Sequence, residues 1–377
     1  MTLNKKYIYQ IIGPLLAFLI WKFSELDPLN SKVSLMAGIA VWMCVWWFSE
    51  AVDLAVTALI PILMMPILGI ANVKTVAQQY TDSIIFLFIG GFMLAFAIEK
   101  WNLHKRIALK ILSIVGQSPA NILLGVMLSA YLISNWVSNT ATTMMLFSAV
   151  FALIQETKHY IIKHQKKFAA AMLLGLAFSA TIGGMATPVG TPPNMYFFKA
   201  YKEAFPNLND LTFLSWSKIG YPISICLFAS TYICLYFYFI KNKVELKIDE
   251  KFFKSNYKNL GKMSYEEKWV FILFISCIVL WFTRSDINFG TFNYKGWNNI
   301  FPVNKFVDDS VVAIIAALLL FLIPSKTDKG KALLEWEDAK KIRYDIILMF
   351  GSGFALAYGF DESGLSDWLA HCLTALK

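Results

Sequence analysis

The sequence predicts an all-α integral membrane protein built on an inverted repeat, with a re-entrant hairpin, a broken helix and a second repeat left incomplete. Three observations carry this. Of 377 residues, 57% are hydrophobic and only 16% charged, whereas roughly a quarter of a soluble domain is charged. Two stretches of the apolar background turn polar or helix-breaking without gaining charge: "SNWVSNTATTMM" (134–145) and "ATIGGMATPVGTPPN" (180–194). Finally, the segment 83–108 recurs at 345–370.

Apolar runs reaching the ~20 residues of a spanning helix predict spans at 7–21, 33–48, 51–70, 82–98, 169–200 (interrupted), 219–240, 268–284, 307–324 and 343–360. The first follows Lys5-Lys6 without a small-residue cleavage site and is read as uncleaved. Trp42, Trp46 and Trp47 close the second span and are read as an interfacial aromatic belt. Glu50 and Asp53, in the turn that follows, are read as solvated. The segment 121–154 is apolar but split by the first polar cluster. It has room for two half-length helices and a tip near Ser138, so it is read as a hairpin. No charged residue occurs between Lys110 and Glu156.

Within 169–200, Gly183, Gly184, Pro188, Gly190, Pro192 and Pro193 cannot sustain a regular helix. Unwound backbone at membrane depth is tolerated only where it is buried in protein or lines a wet cavity. His159 and His164 stand in a basic loop without metal-ligand spacing and are read as solvated. The eight lysines of 241–268 mark a linker that can lie on anionic lipid.

With the N-terminus in the cytoplasm, the inside segments (the N-terminus, 99–118, 155–168, 241–268 and 325–343) hold 24 of the 34 Lys and Arg. This is the positive-inside pattern. The net charge of +9 is therefore an orientation signal, and no nucleic-acid partner is expected. The five cysteines are scattered without a CxxC and read as small apolar residues. No GxxxxGK[ST] or HExxH occurs, so neither ATP-driven transport nor zinc proteolysis is expected.

At an offset of 262, Ile84, Ile85, Phe88, Gly91, Phe92, Leu94, Ala95, Leu103 and Ala108 find identical residues in the second copy. In the span order above the two copies cross in opposite directions. Inverted repeats of this kind belong to secondary transporters, which hold substrate near the midplane at the repeat interface. The point equivalent to Ser138 would fall near position 400, so the second repeat is expected to be incomplete in this sequence. A site between two repeats needs both walls, and this sequence alone is expected not to transport.

The residues "SNWVSNTATTMML" (134–146) and "GGMATPVGTPPN" (183–194) together resemble the divalent anion/sodium symporter family. Phe147 departs from the proline expected after the tip. The resemblance implies a homodimeric elevator transporter in a cell membrane, such as a bacterial inner membrane. It implies Na+ as coupling ion and a dicarboxylate such as succinate or malate, or another divalent anion, as cargo, with membrane lipid as a further partner. It implies scaffold helices at 1–81, a first-repeat transport domain at 82–215, scaffold helices and the cytoplasmic linker at 216–342, and the start of a second transport domain at 343–377. By the same resemblance Ser138, Asn139, Thr140, Thr191 and Pro192 hold substrate. Ser134, Ser138, Asn139 and Gly190 ligate sodium, with Pro193 and Asn194 completing the loop.

Neutral oxygens suit a hard monovalent cation by the logic that governs calcium and magnesium. Against this stands the bland reading of Ser, Asn and Thr as interhelical hydrogen-bond glue, which Thr142 and Thr143 are taken to be. Alternative activities are a sodium-independent exchanger, a sulfate or phosphate carrier, a channel, and a truncated half-protein that does not transport. No enzymatic reaction is expected.

Overall fold

The computed structural model describes residues 3–116, 118–157, 161–205, 207–208, 211–241, 245–246, 252–288 and 293–374. In chain order the first helices are α1 (Leu3–Phe23), α2 (Ser31–Ser49), α3 (Leu54–Thr57), α4 (Ile60–Ile67), α5 (Val73–Gln79) and α6 (Ser83–Lys100). Next come α7 (Leu103–Val115), α8 (Pro119–Ser134), α9 (Asn139–Thr157), α10 (Gln165–Gly184), α11 (Pro192–Ala204) and α12 (Phe213–Leu235). The last are α13 (Phe252–Asn259), α14 (Tyr265–Thr283), α15 (Asp309–Leu322), α16 (Trp336–Ala339), α17 (Tyr344–Ser363) and α18 (Leu365–Thr374). Strand is confined to two short antiparallel pairs among the described residues, Ile161–Lys163 with Glu245–Leu246 and Ile287–Asn288 with Asn293–Tyr294. Four helical segments are long and apolar enough to cross a membrane: Ser31–Ser49, Val73–Lys100, Gln165–Gly184 and Phe213–Ile240. The protein is a multi-pass, helical membrane protein.

The chain forms two compact units, residues 1–86 with 343–377, and residues 87–342. In the first, α1 and α2 pack closely because two glycines admit indole rings. A Cβ at Gly38 would lie 2.0 Å from Trp21 Nε1, and one at Gly13 would lie 2.8 Å from Trp46 Nε1. Gly38→Ala is therefore expected to wedge the pair apart. Overpacking of this kind costs about 1–3 kcal/mol, and a drop in melting temperature checks it. Trp42 and Trp46, expected in an interfacial belt, pack over Gly13 of α1. Glu50 and Asp53 are exposed, as expected of the turn. A core of Val33, Met36, Ile39, Met43, Ile60, Met65, Ala355 and Leu365 binds α17 and α18 to α2 and α4.

The segment 51–70, expected as one span, is two short helices. Pro61 lacks a backbone N–H, and the chain breaks at Ala58–Leu59 before resuming with Pro61 in the first turn of α4, where a missing donor does least harm.

In the second unit, α8, α9 and α10 share one apolar core through Ile122, Leu123, Met127, Leu146, Met172 and Leu176, with α7 and α12 packed on it. The Arg106 guanidinium of α7 is paired with Glu267, Nη2 to Oε2 at 2.9 Å and Nε to Oε1 at 3.1 Å. It also donates to the carbonyls of Gly261 and Leu260. Beside this pair, Glu266, one per cent exposed, accepts from Ser325 Oγ and the N–H groups of Lys326 and Thr327. Burial would raise this carboxyl, but the hydrogen bonds outweigh it and hold its pKa down to about 2. Helix α12 ends in a π-helical turn, Tyr236–Ile240, and α13 lies in the expected linker.

The two copies of the sequence repeat fold alike, α6 with α7 and α17 with α18. The linking residues Asn102 and Gly364, equivalent at the offset of 262, both adopt the left-handed conformation, with φ of 57° and 77°. His164 is exposed, and His159 lies outside the described residues.

Candidate functional site: a polar turn against a broken helix

The predicted tip is a four-residue turn, Asn135–Ser138, between α8 and α9. Ser138 Oγ accepts from Ala141 N–H at 3.3 Å and so caps α9, as a serine at that position prefers. The N–H groups of Asn139 and Thr140, one and two residues into α9, are among the four donors that a helix start leaves without an intrahelical acceptor. Helix α9 then runs unbroken through Phe147. The second interruption also lies where the sequence places it. Helix α10 stops at Gly184, α11 starts at Pro192, and Met185–Thr191 is unwound between them.

These two interruptions meet. Ser134 Oγ donates to Ala180 O at 2.6 Å and lies 2.9 Å from Asn139 Oδ1. Asn139 Nδ2 donates to Thr191 Oγ1 at 3.5 Å. A Cβ at Gly190 would lie 2.6 Å from Gly184 O and 2.9 Å from Ser134 O. One at Gly184 would lie 2.1 Å from Asn139 Oδ1 and 3.1 Å from Gly190 O. No side-chain carbon tolerates such approaches, so glycine at both positions lets four neutral oxygens crowd together. They are the carbonyls of Ser134, Gly184 and Gly190 and the side-chain oxygen of Asn139.

The geometry sorts the helix ends by polarity. The C-terminal ends of α8 and α10 converge, and with them the partial negative charge of their last carbonyls. The N-terminal ends of α9 and α11 converge too, through Asn139 and Thr191, and helix N-termini favour anions. Thr191, at the N-cap of α11, makes no side-chain capping bond. The arrangement can hold a cation and an anion side by side without a charged side chain: residues 134–145 and 180–198 contain none.

Of the residues predicted from the sequence, Ser134, Asn139, Gly190 and Thr191 are gathered here. Ser138 is next to them but its hydroxyl oxygen caps α9. Thr140 is exposed one position further, and Pro192 and Pro193 form the first turn of α11. Asn194, carried over with the loop, clamps the unwound segment by donating to Gly184 O at 2.9 Å and Thr187 O at 2.7 Å.

Three structural partners had no assigned role from sequence. Thr187, fully buried, donates through Oγ1 to Asn135 O. With its amide turned to satisfy both ends, Asn135 donates to Gly183 O at 2.9 Å and Tyr131 O at 2.8 Å and accepts from Tyr221 OH. Gly184 supplies the space that Asn139 occupies. The signal for all three was present, since each lies inside one of the two polar stretches. Thr142 and Thr143 bond back to Val137 O and Asn139 O, local hydrogen bonds of the helix start.

The family model described as "Sodium:sulfate symporter transmembrane region" matches residues 3–377. The chain is 37% identical over 386 aligned residues to a sodium-dependent dicarboxylate transporter of Staphylococcus saprophyticus, covering 99% of this chain and 72% of that protein. It is 36% identical over 376 residues to the sodium-dependent dicarboxylate transporter of Staphylococcus aureus strain NCTC 8325, covering 97% and 70%.

Proposed function

The chain belongs to the sodium:sulfate symporter family, and from that premise we propose that it couples sodium to the movement of a divalent organic anion across the cell membrane. The observation that carries this reading is the close approach of neutral oxygens to Gly184 and Gly190, which we read as a cage for a cation, set beside two converging helix starts. Sodium takes the cage, with Ser134, Ser138, Asn139 and Gly190 around it. The anion takes the side of Ser138, Asn139, Thr140, Thr191 and Pro192. A dianion facing only neutral donors binds weakly until a cation arrives beside it, and this coupling makes the protein a symporter.

The relatives are named for dicarboxylate, and we read the anion as a C4-dicarboxylate such as succinate or malate. The family description names sulfate, and a helix N-terminus serves a sulfate oxygen as well as a carboxylate, so sulfate is the second reading. We extend the proposal to the features that the family resemblance and the loop charges imply. They are inverted repeats, scaffold segments at 1–81 and 216–342, transport segments at 82–215 and 343–377, a homodimer moving by an elevator mechanism, and a cytoplasmic N-terminus.

The test is binding of sodium to the purified chain. Sodium at a hundred times its Kd should stabilise the fold by about 2.7 kcal/mol, where potassium does not. Asn139→Ala removes one oxygen and should weaken the sodium midpoint at least about tenfold, at the lower end of what altering a metal site costs. Equal stabilisation by sodium and potassium, or an unchanged midpoint in the variant, would refute the assignment. Labelled succinate and labelled sulfate, each added with sodium, decide between the two anions. Vesicle uptake by the 377-residue chain tests whether the wall described here suffices.

A further inference from the structure

One aromatic residue in the turn is unaccounted for by the cage. Trp136 lies between Asn135 and Val137, two residues after Ser134 and three before Asn139. Its ring is parallel to Phe213 at the start of α12, with centroids 5.8 Å apart and planes at 6°. It is also parallel to Trp281 of α14, at 6.2 Å and 3°. Phe274 of α14 meets it edge-on at 5.6 Å. Phe213 and Trp281 stack on each other at 5.0 Å and are buried.

These two rings are themselves fixed. The Phe213 N–H donates to Asp309 Oδ2 at 3.1 Å, and Trp281 Nε1 donates to Asp309 O at 2.9 Å. Arg284 holds the same carboxylate at 2.5 Å and donates to Val307 O at 3.0 Å. Trp136 thus seats the turn on a plate whose position is set by a buried ion pair joining α14 and α15.

We infer that Trp136 is a positioning residue, whose stacking on Phe213 and Trp281 fixes the turn and thereby the placement of Ser134 and Asn139. It touches no ligand; its effect on sodium passes through the turn. Val137 anchors the middle of the turn in the α8–α10 core and accepts from Thr142. Asn135 and Thr187 pin its first residue to the broken helix, and Ser138 pins its last to α9. Trp136 alone of the four ties the turn by ring stacking to α12 and α14. The part of the inference that concerns sodium rests on the reading of the cage as a sodium site, while the part that concerns the turn does not.

The test uses the full chain with Trp136→Leu, which keeps apolar bulk but no ring plane, and Trp136→Phe, which keeps a ring. Amide hydrogen exchange over 135–140 is read relative to the rest of α8, and the sodium midpoint is read by thermal shift. Trp136→Leu is expected to speed exchange in the turn about tenfold and to weaken sodium binding about tenfold, so that about ten times as much sodium is needed for the same thermal shift. Trp136→Phe should restore most of both. Unchanged exchange in the turn, a uniform rise across α8, or a Phe variant as impaired as the Leu variant would overturn the inference. If the parent chain shows no response to sodium, the sodium reading fails, and exchange in the turn still decides the clamp.

Discussion

Gly184→Ala is expected to abolish sodium-dependent stabilisation while leaving the helices folded. The added methyl would lie 2.1 Å from Asn139 Oδ1 and 3.1 Å from the carbonyl oxygen of Gly190. The Asn139 amide can swing aside, so the fold survives, but it then leaves the cage as the new carbon enters it. Loss of a donor combined with occupation of its place should weaken sodium by at least the 10–100-fold typical of a disturbed metal site, to about 100-fold or more. Helical circular dichroism and a sodium titration by thermal shift measure the two halves of this expectation. Gly91→Ala is the matched control: nothing lies within 4 Å of its added carbon, and alanine suits a helix interior better than glycine by about 0.5–1 kcal/mol. It should keep the sodium response at equal or higher stability. An intact sodium response in Gly184→Ala would place the cation elsewhere.

Glu267→Ala is expected to lower stability by about 3–5 kcal/mol, the range for removing one partner of a buried ion pair. Arg106 and Glu267 have side chains 9% and 10% exposed, so the guanidinium left behind gains little from water. The carboxylate also accepts from the Ser264 N–H at the start of α14, and that cap is lost with it. Thermal unfolding measures the effect. The double variant Arg106→Met with Glu267→Leu should recover much of the loss, because replacing both charges by apolar groups is often neutral or stabilising. A double variant no better than Glu267→Ala would mean that the arginine's bonds to Leu260 and Gly261, not the ion pair, hold α7 in place.

Much of this architecture was legible because a lipid environment penalises exceptions. Against an apolar background, Ser134–Thr143 and Gly183–Asn194 stood out by composition alone, and both interruptions fall where the residues place them. The repeat was legible for the same reason. Its linking positions, Asn102 and Gly364, share a backbone conformation although they differ in sequence. What remained hidden depended on partners far along the chain. Pro61 within an apolar run permits either a kinked span or two short helices, and only its packing decides for the latter. The packing of Trp42 and Trp46 depends on Gly13, some thirty residues earlier, which opens space for them. Trp136 sits among polar neighbours, and nothing near it in sequence points to Phe213 or Trp281. The roles of Gly184 and Gly190 lie in what they omit, and a hydropathy pattern does not register a missing carbon.

The charge-free site also determines how voltage would enter the cycle. Moving one elementary charge through a membrane potential of 100 mV changes its energy by about 2.3 kcal/mol, whatever carries it. A moving wall with fixed ionised groups would feel that field whether full or empty. Residues 134–145 and 180–198 bring no ionised group of their own, so the field acts there only on what is bound. Under the proposed symport, the current accompanying each turnover counts sodium ions against the charge of the anion. Under the proposed mechanism, these two stretches of an empty wall carry no charge for the potential to act on.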